Sequence, residues 1–197
     1  MKKGPATRHT ILEKAFELIY TKGYQATSID DIIATTKVTK GAFFYHFKTK
    51  DEMGLAIIDE VVTPAMEEAL VKPLENAKNP VKGIYSMMNN LLFNNSFLKV
   101  EYGCPASNLS QEMTPWNKEF SKALAALTKR WLQTMEQYIS KGKKTGMVRK
   151  NINAAQAATF IMSGYWGIRN LGKVTNSNQC YTPYLKELKN YLATLEQ

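Results

Sequence analysis

Residues 27–50 read TSIDDIIATTKVTKGAFFYHFKTK, and this stretch decides the fold. Ser28 is a natural N-cap, Asp31 three positions on completes a capping box, and Asp30 and Asp31 both sit where a helix dipole favours negative charge. Ile29, Ile32 and Ile33 follow at helical spacing until Thr35-Thr36-Lys37 interrupts them, so a short helix begins at Ser28 and the chain turns around Lys37. Thr39 caps a second helix over residues 39–46, in which Phe43 and Phe47 lie one turn apart and face inward. The opposite face carries Thr39, Lys40, Ala42, Phe44, Tyr45 and His46. Such a face suits a groove better than bulk water: lysine neutralises phosphate, tyrosine hydroxyl and imidazole N–H bond phosphate oxygens, and Thr or Ala lies against thymine methyls. Thr49 with Glu52 forms a further capping box and brings Lys50 beside the same surface. The pattern predicts a helix-turn-helix whose second helix enters the major groove.

At these residues the chain resembles the tetracycline-repressor (TetR) family of bacterial transcriptional regulators. The likeness covers roughly residues 7–55, and the run TKGAFFYHFKTKDE at 39–52 follows the family signature S-K-G-x-L-Y-x-H-F-x-[ST]-K-[ED] without a gap. The resemblance implies that Ser28, Thr39, Lys40, Ala42, Phe44, Tyr45, His46 and Lys50 contact double-stranded DNA, with Gly41 permitting close backbone approach. Two positions depart from the family. Lys37 stands where a turn glycine is usual, at a left-handed cost of about 1 kcal/mol, so the turn is reshaped or Lys37 gains a phosphate contact. Phe44 replaces a frequent tyrosine and removes one hydroxyl.

Of the 197 residues, 44% are apolar, enough for a real core. Residues 1–50 hold nine Lys or Arg against four Asp or Glu, a net +5, while the other 147 hold 17 against 13, a net +4. Positive charge therefore concentrates at the front of the chain. No apolar run approaches the ~18 residues of a membrane span, and residues 1–4 lead into an amphipathic helix instead of a signal peptide's apolar segment, so a cytoplasmic protein without a membrane partner is expected. Cys104 and Cys180 lack C-x-x-C spacing, which argues against a disulfide framework or a structural metal.

Working outward, a first helix is predicted over about 7–22, stopped by Gly23, and a longer one from Asp51 that Pro64 must kink or restart. Amphipathic helices follow over 81–99 and 115–141. Residues 154–171 are apolar almost all round and include Ser163, Gly164 and Gly167, and a last stripe runs from Tyr184 to Leu195. The expected fold is all-α with about nine helices. Residues 1–50 form a three-helix DNA-binding domain, and 51–197, opening with a connector helix, form a helical ligand-sensing and dimerisation domain. Family members dimerise through their last two helices, so the resemblance implies a homodimer on a near-palindromic operator.

The family also implies a small-molecule effector held between the middle helices. Candidate lining residues are Tyr85, Met88, Phe93, Phe97, Cys104, Trp116, Trp131, Tyr165, Trp166 and Arg169, although Met and aromatic residues at helical spacing equally describe an ordinary core. The segment 103–112, GCPASNLSQE, resembles a branch of the family containing the electrophile-sensing repressor of N-ethylmaleimide reductase. There the matching cysteine is redox-sensitive, which makes Cys104 the alternative trigger. An enzyme is not expected: no nucleophile-base-orienter set or metal cluster is visible, no cofactor is implied, and both histidines, His9 and His46, lie in the DNA-binding part.

Overall fold

The computed structural model describes residues 3–197, apart from the side chains of residues 3–5 and 76. In chain order the helices are α1 (Lys3–Lys22), α2 (Ile29–Thr36), α3 (Lys40–His46), α4 (Lys50–Ile57), α5 (Thr63–Met66), α6 (Lys72–Asn76), α7 (Pro80–Asn89), α8 (Pro105–Met113), α9 (Lys118–Lys144), α10 (Ala154–Thr175) and α11 (Tyr181–Leu195). Among the described residues there is no strand, only an isolated bridge between Val148 and Glu196. With the helical run 50–76 taken as one connector, the helices of the described residues number nine, as the sequence predicts.

That connector does not stop at Pro64. Proline lacks an N–H and its ring crowds the carbonyl four residues back. The chain answers with a π turn over Ile58–Val62, where the Thr63 amide donates to the Ile58 carbonyl. A second π turn, Glu67–Val71, precedes Pro73. The helix expected over 81–99 ends earlier, in a π turn at Asn90–Asn94. Beyond it the Asn95 side-chain oxygen accepts from the amides of Phe97 and Leu98, at 2.9 and 3.2 Å, and folds the chain away from the helix.

The described residues form two compact units that do not follow chain order. The first is built from residues up to 64 together with 105–125, the second from 65–104 and 126–197. Helix α8 and the start of α9 thus fold with the helix-turn-helix. In the first unit Ile11, Leu12, Ala15, Ile32, Phe43, Phe47, Met53 and Phe120 are all fully buried. A Cβ on Gly54 would lie 2.6 Å from both the Tyr24 and Phe120 rings, so only glycine lets α4 approach them. The second unit packs Ile84, Met87, Trp131, Met135, Ile139, Ile161, Tyr165, Leu188 and Leu192. No helix of the described chain is long and apolar enough to cross a membrane.

Candidate nucleic-acid interface and effector residues

Three side-chain caps set the geometry of the helix-turn-helix. Ser28 Oγ accepts from the Asp31 amide at 3.0 Å while the Ser28 amide donates to Asp31 at 2.9 Å, the reciprocal box expected. The Ser28 hydroxyl also donates to Asp31 Oδ2 at 2.6 Å, and this bond, then the one from the Ser28 amide, holds the Asp31 carboxyl below its ordinary pKa. Thr39 Oγ1 accepts from the Ala42 amide at 3.1 Å and starts α3. Thr49 Oγ1 accepts from Glu52, but the Glu52 carboxylate reaches one residue further back than expected, to the Lys48 amide at 2.7 Å. Between α2 and α3, Lys37 adopts the left-handed conformation with φ 56°, so the turn keeps the glycine-like shape at a lysine.

Phe43 and Phe47 are fully buried with ring centroids 5.9 Å apart, and the Arg8 guanidinium lies 4.9 Å over Phe47. Helix α3 is thereby fixed from behind. Its outer face exposes Thr39, Lys40 and Gly41, Tyr45 is 77% exposed, Phe44 is 36% exposed, and Ala42 and His46 are half-buried. Nothing lies within 4 Å of a Cβ built on Gly41. Lys40 Nζ stands 3.5 Å from Asp30, an exposed pair worth little in water. The sequence pattern marks Asp30 only as a partner of the α2 dipole, and its pairing with Lys40 across the turn is not visible there.

Lys50 differs from the other candidate contacts. It is half-buried, its ammonium sits 4.4 Å over the Tyr24 ring, and burial lowers its pKa. Tyr24 OH donates to Asp51 at 2.6 Å, and Asn117 Nδ2 donates to the other Asp51 oxygen at 2.9 Å. Burial, then Asp51, push the Tyr24 phenol far above its usual pKa. The Glu112 carboxylate accepts the amides of Tyr24 and Gln25 at 2.8 and 2.5 Å, in the turn that leads from α1 to α2. These partners are 88 and 87 residues apart in the chain, so no local pattern marks them.

Charge is distributed differently from what the chain order suggested. The first unit holds 11 Lys and Arg against 10 Asp and Glu, a net +1; the second holds 15 against 7, a net +8. The acids of 51–60 and 105–125 offset the basic front.

Of the effector candidates, Met88, Cys104, Trp131, Tyr165 and Arg169 are buried and Tyr85, Phe97 and Trp166 half-buried, all in the second unit. Phe93 is 42% exposed and packs edge-on against Tyr181, with centroids 5.8 Å apart. Trp116 does not join them: it is 81% exposed in the first unit, in the turn after α8, where the Met113 carbonyl accepts its backbone amide. Arg169 is only 1% exposed and donates to Tyr181 OH (3.0 Å), the Lys99 carbonyl (2.7 Å) and the Gly103 carbonyl (2.6 Å). Its Nε, and Nε1 of Trp131 and Trp166, are buried donors with no acceptor among the described residues. Cys104 is 2% exposed and forms no disulfide.

Helix α10 also carries an uncovered apolar stripe at three- and four-residue spacing. Phe160 is 58% exposed, Leu171 49% and Val174 75%, with exposed Ser163 and Gly167 between them.

Residues 11–57 match the description "Bacterial regulatory proteins, tetR family", and residues 80–188 match "Tetracyclin repressor-like, C-terminal domain". An uncharacterised HTH-type transcriptional regulator in the lacX 3' region of Lactococcus lactis subsp. lactis is 34% identical over 80% of this chain and 80% of its own. The HTH-type transcriptional repressor NemR of Escherichia coli K12 is 20% identical over 95% and 94%. Among solved structures, a TetR transcriptional regulator from Chloroflexus aurantiacus superposes with a TM-score of 0.89 at 24% identity, covering 100% of this chain and 98% of that one.

Proposed function

The chain belongs to the tetR family of bacterial regulatory proteins and is a DNA-binding transcriptional regulator; from that premise we propose that it is a repressor that grips a near-palindromic operator as a homodimer and releases it when a small molecule binds its second unit. The observation that carries the DNA part is the split of α3: Phe43 and Phe47 wholly inside, Lys40, Gly41, Phe44 and Tyr45 outside on a helix capped at Thr39. Lys37, Ser28, Ala42, His46 and Lys50 complete the contact set, with Lys50 reaching phosphate from its seat on Tyr24. The apolar stripe of Phe160, Leu171 and Val174 supports the dimer, because a monomer would leave it in water and a two-fold partner would cover it.

Capture of genomic fragments by the wild type and by a Lys40→Ala/Tyr45→Ala variant tests this. Fragments sharing a near-palindrome are expected only with the wild type, with a reporter downstream repressed. Equal capture by both proteins would refute the placement of the recognition face.

The effector is an acceptor-bearing molecule, foremost a small carboxylate. A cation as deeply buried as Arg169 ordinarily has an anionic partner; here its acceptors are neutral, and the unmatched buried atoms of Trp131, Trp166 and Arg169 are all donors. A carboxylate bonds guanidinium more strongly than carbonyls do. In a panel of carboxylates and their amides, the acids should release operator and perturb tryptophan fluorescence, and Arg169→Met should abolish the response. A panel in which amides match acids would sink the carboxylate assignment. The covalent alternative, modification of Cys104, requires the buried sulfur to become accessible; electrophile release undiminished in Cys104→Ser excludes it.

A further inference from the structure

One end of the second unit gathers cations, most of which neither folding nor the recognition helix uses. Tyr138 OH near the end of α9 donates to the carbonyls of Ala77 and Asn79, at 3.0 and 3.2 Å, which ties the α6–α7 loop to α9. The chain after α9 returns to the same place: Val148 bridges to Glu196, Lys143 Nζ donates to the Ile152 carbonyl at 2.6 Å, and Arg149 Nε to the Glu196 carbonyl at 2.6 Å. Lys78, Lys82, Lys141, Lys143, Lys144, Arg149 and Lys150 therefore share one end, and residues 137–153 contain no acid. Acids join them too: Glu75, beside Lys141 in a groove of about 240 Å³, and Glu196, bridged to Val148.

Lys78, Lys82, Lys141, Lys144 and Lys150 are exposed and make no ion pair among the described residues. The α9 dipole accounts for cations in its last turn, but not for Lys82, which stands in the first turn of α7 where the dipole disfavours it. Nor does it account for Lys78 and Lys150. This end belongs to the unit that carries +8 of the net +9.

We propose that this lysine end is a second DNA-contacting surface, one that takes the phosphate backbone of duplex DNA without reading bases. Lysines are mobile point charges suited to backbone neutralisation, not to bidentate base recognition. A membrane surface would call for aromatic or leucine anchors beside the cations, and Met147 is the exposed large apolar residue of the loop. Of the polyanions a lysine cluster can take, duplex DNA is the one bound by the family to which this regulator belongs.

The test titrates the full chain and a Lys78→Gln/Lys141→Gln/Lys144→Gln/Lys150→Gln variant with a short scrambled duplex across salt concentration. The slope of log affinity against log salt should flatten by about 0.9 for each ammonium–phosphate pairing removed, roughly 2 to 4 in all. The same change should appear in a Lys40→Ala background, because the surface acts apart from the recognition helix. Single Lys→Gln variants, each flattening the slope by up to one such increment, keep the test valid if the quadruple variant folds poorly. Unchanged slopes across the set overturn the proposal, as does tight binding to phosphatidylserine vesicles that the quadruple variant loses while its DNA slope stays at the wild-type value.

Discussion

Replacing Gly41 by Ala should make the protein slightly more stable and a worse binder of its operator. Gly41 is the second residue of α3, and a Cβ there meets nothing within 4 Å, so the substitution causes no clash inside the fold. Alanine in a helix interior gains about 0.5–1 kcal/mol over glycine, and a first-turn position should realise about half of that. For a protein of this size the gain raises the melting temperature by roughly 0.5–2 °C. On DNA the added methyl stands on the face between Lys40 and Phe44 and holds the helix off the phosphates. Forfeiting one charge-assisted hydrogen bond per half-site costs about 1.5–3 kcal/mol, a loss of ~10- to ~100-fold for each bound protomer. Thermal unfolding and operator titration by fluorescence anisotropy, run on the same preparations, separate the two effects. Wild-type affinity in a stabilised variant would mean that Gly41 does not face the DNA backbone. A loss of stability would mean that the fold itself requires the glycine.

Lys37→Gly removes a left-handed lysine and should raise stability by about 0.5–1 kcal/mol; if Lys37 touches phosphate, operator affinity and its salt slope fall together, and an unchanged slope withdraws that contact. Leu171→Glu/Val174→Glu places charge on the exposed stripe of α10 and should convert a dimer to monomers in light scattering while leaving the far-ultraviolet circular dichroism intact; a monomeric wild type would defeat the dimer assignment. Tyr184→Phe removes a buried hydroxyl that has no partner among the described residues, and should be neutral or stabilising by about 1–3 kcal/mol at pH 7. Burial pushes the Tyr184 phenol up to about 12, so its protonated form favours the folded state. That contribution is complete below pH ~10 and is lost as pH rises from there through 12, so alkaline unfolding should shift upward in the Phe variant, as followed by a pH titration of ellipticity.

The features legible in the sequence are those that act over one helical turn. Ser28 with Asp31, Thr39 and Thr49 each cap the helix they precede, and the four-residue spacing of Phe43 and Phe47 places both in the core. Lys37 announced an unusual turn and supplied one. What the sequence left unread depends on partners far along the chain. The Glu112 carboxylate is mute until the Tyr24 and Gln25 amides are beside it, and the basic front of the chain looks like a charged domain until the acids of 51–60 and 105–125 fold onto it. Trp116 has the composition of a pocket residue, yet the turn after α8 turns it outward. The early end of α7 follows from one amide oxygen, Asn95, bonding two residues ahead.

The interleaving of the first unit has a consequence for how the protein is made. Its first segment ends at residue 64, but Glu112 and Phe120, which hold Tyr24 and Gly54, belong to the stretch 105–125. A ribosome adding ~5–20 residues per second needs roughly 3–12 s more to deliver residue 125 after residue 64. During that interval the DNA-reading half exists as an unfinished shell with Tyr24 uncapped. A gene fragment ending at residue 64 would lack both Glu112 and Phe120, so transplanting the DNA-binding half onto another scaffold is best done with α8 and the first turns of α9 carried along with it.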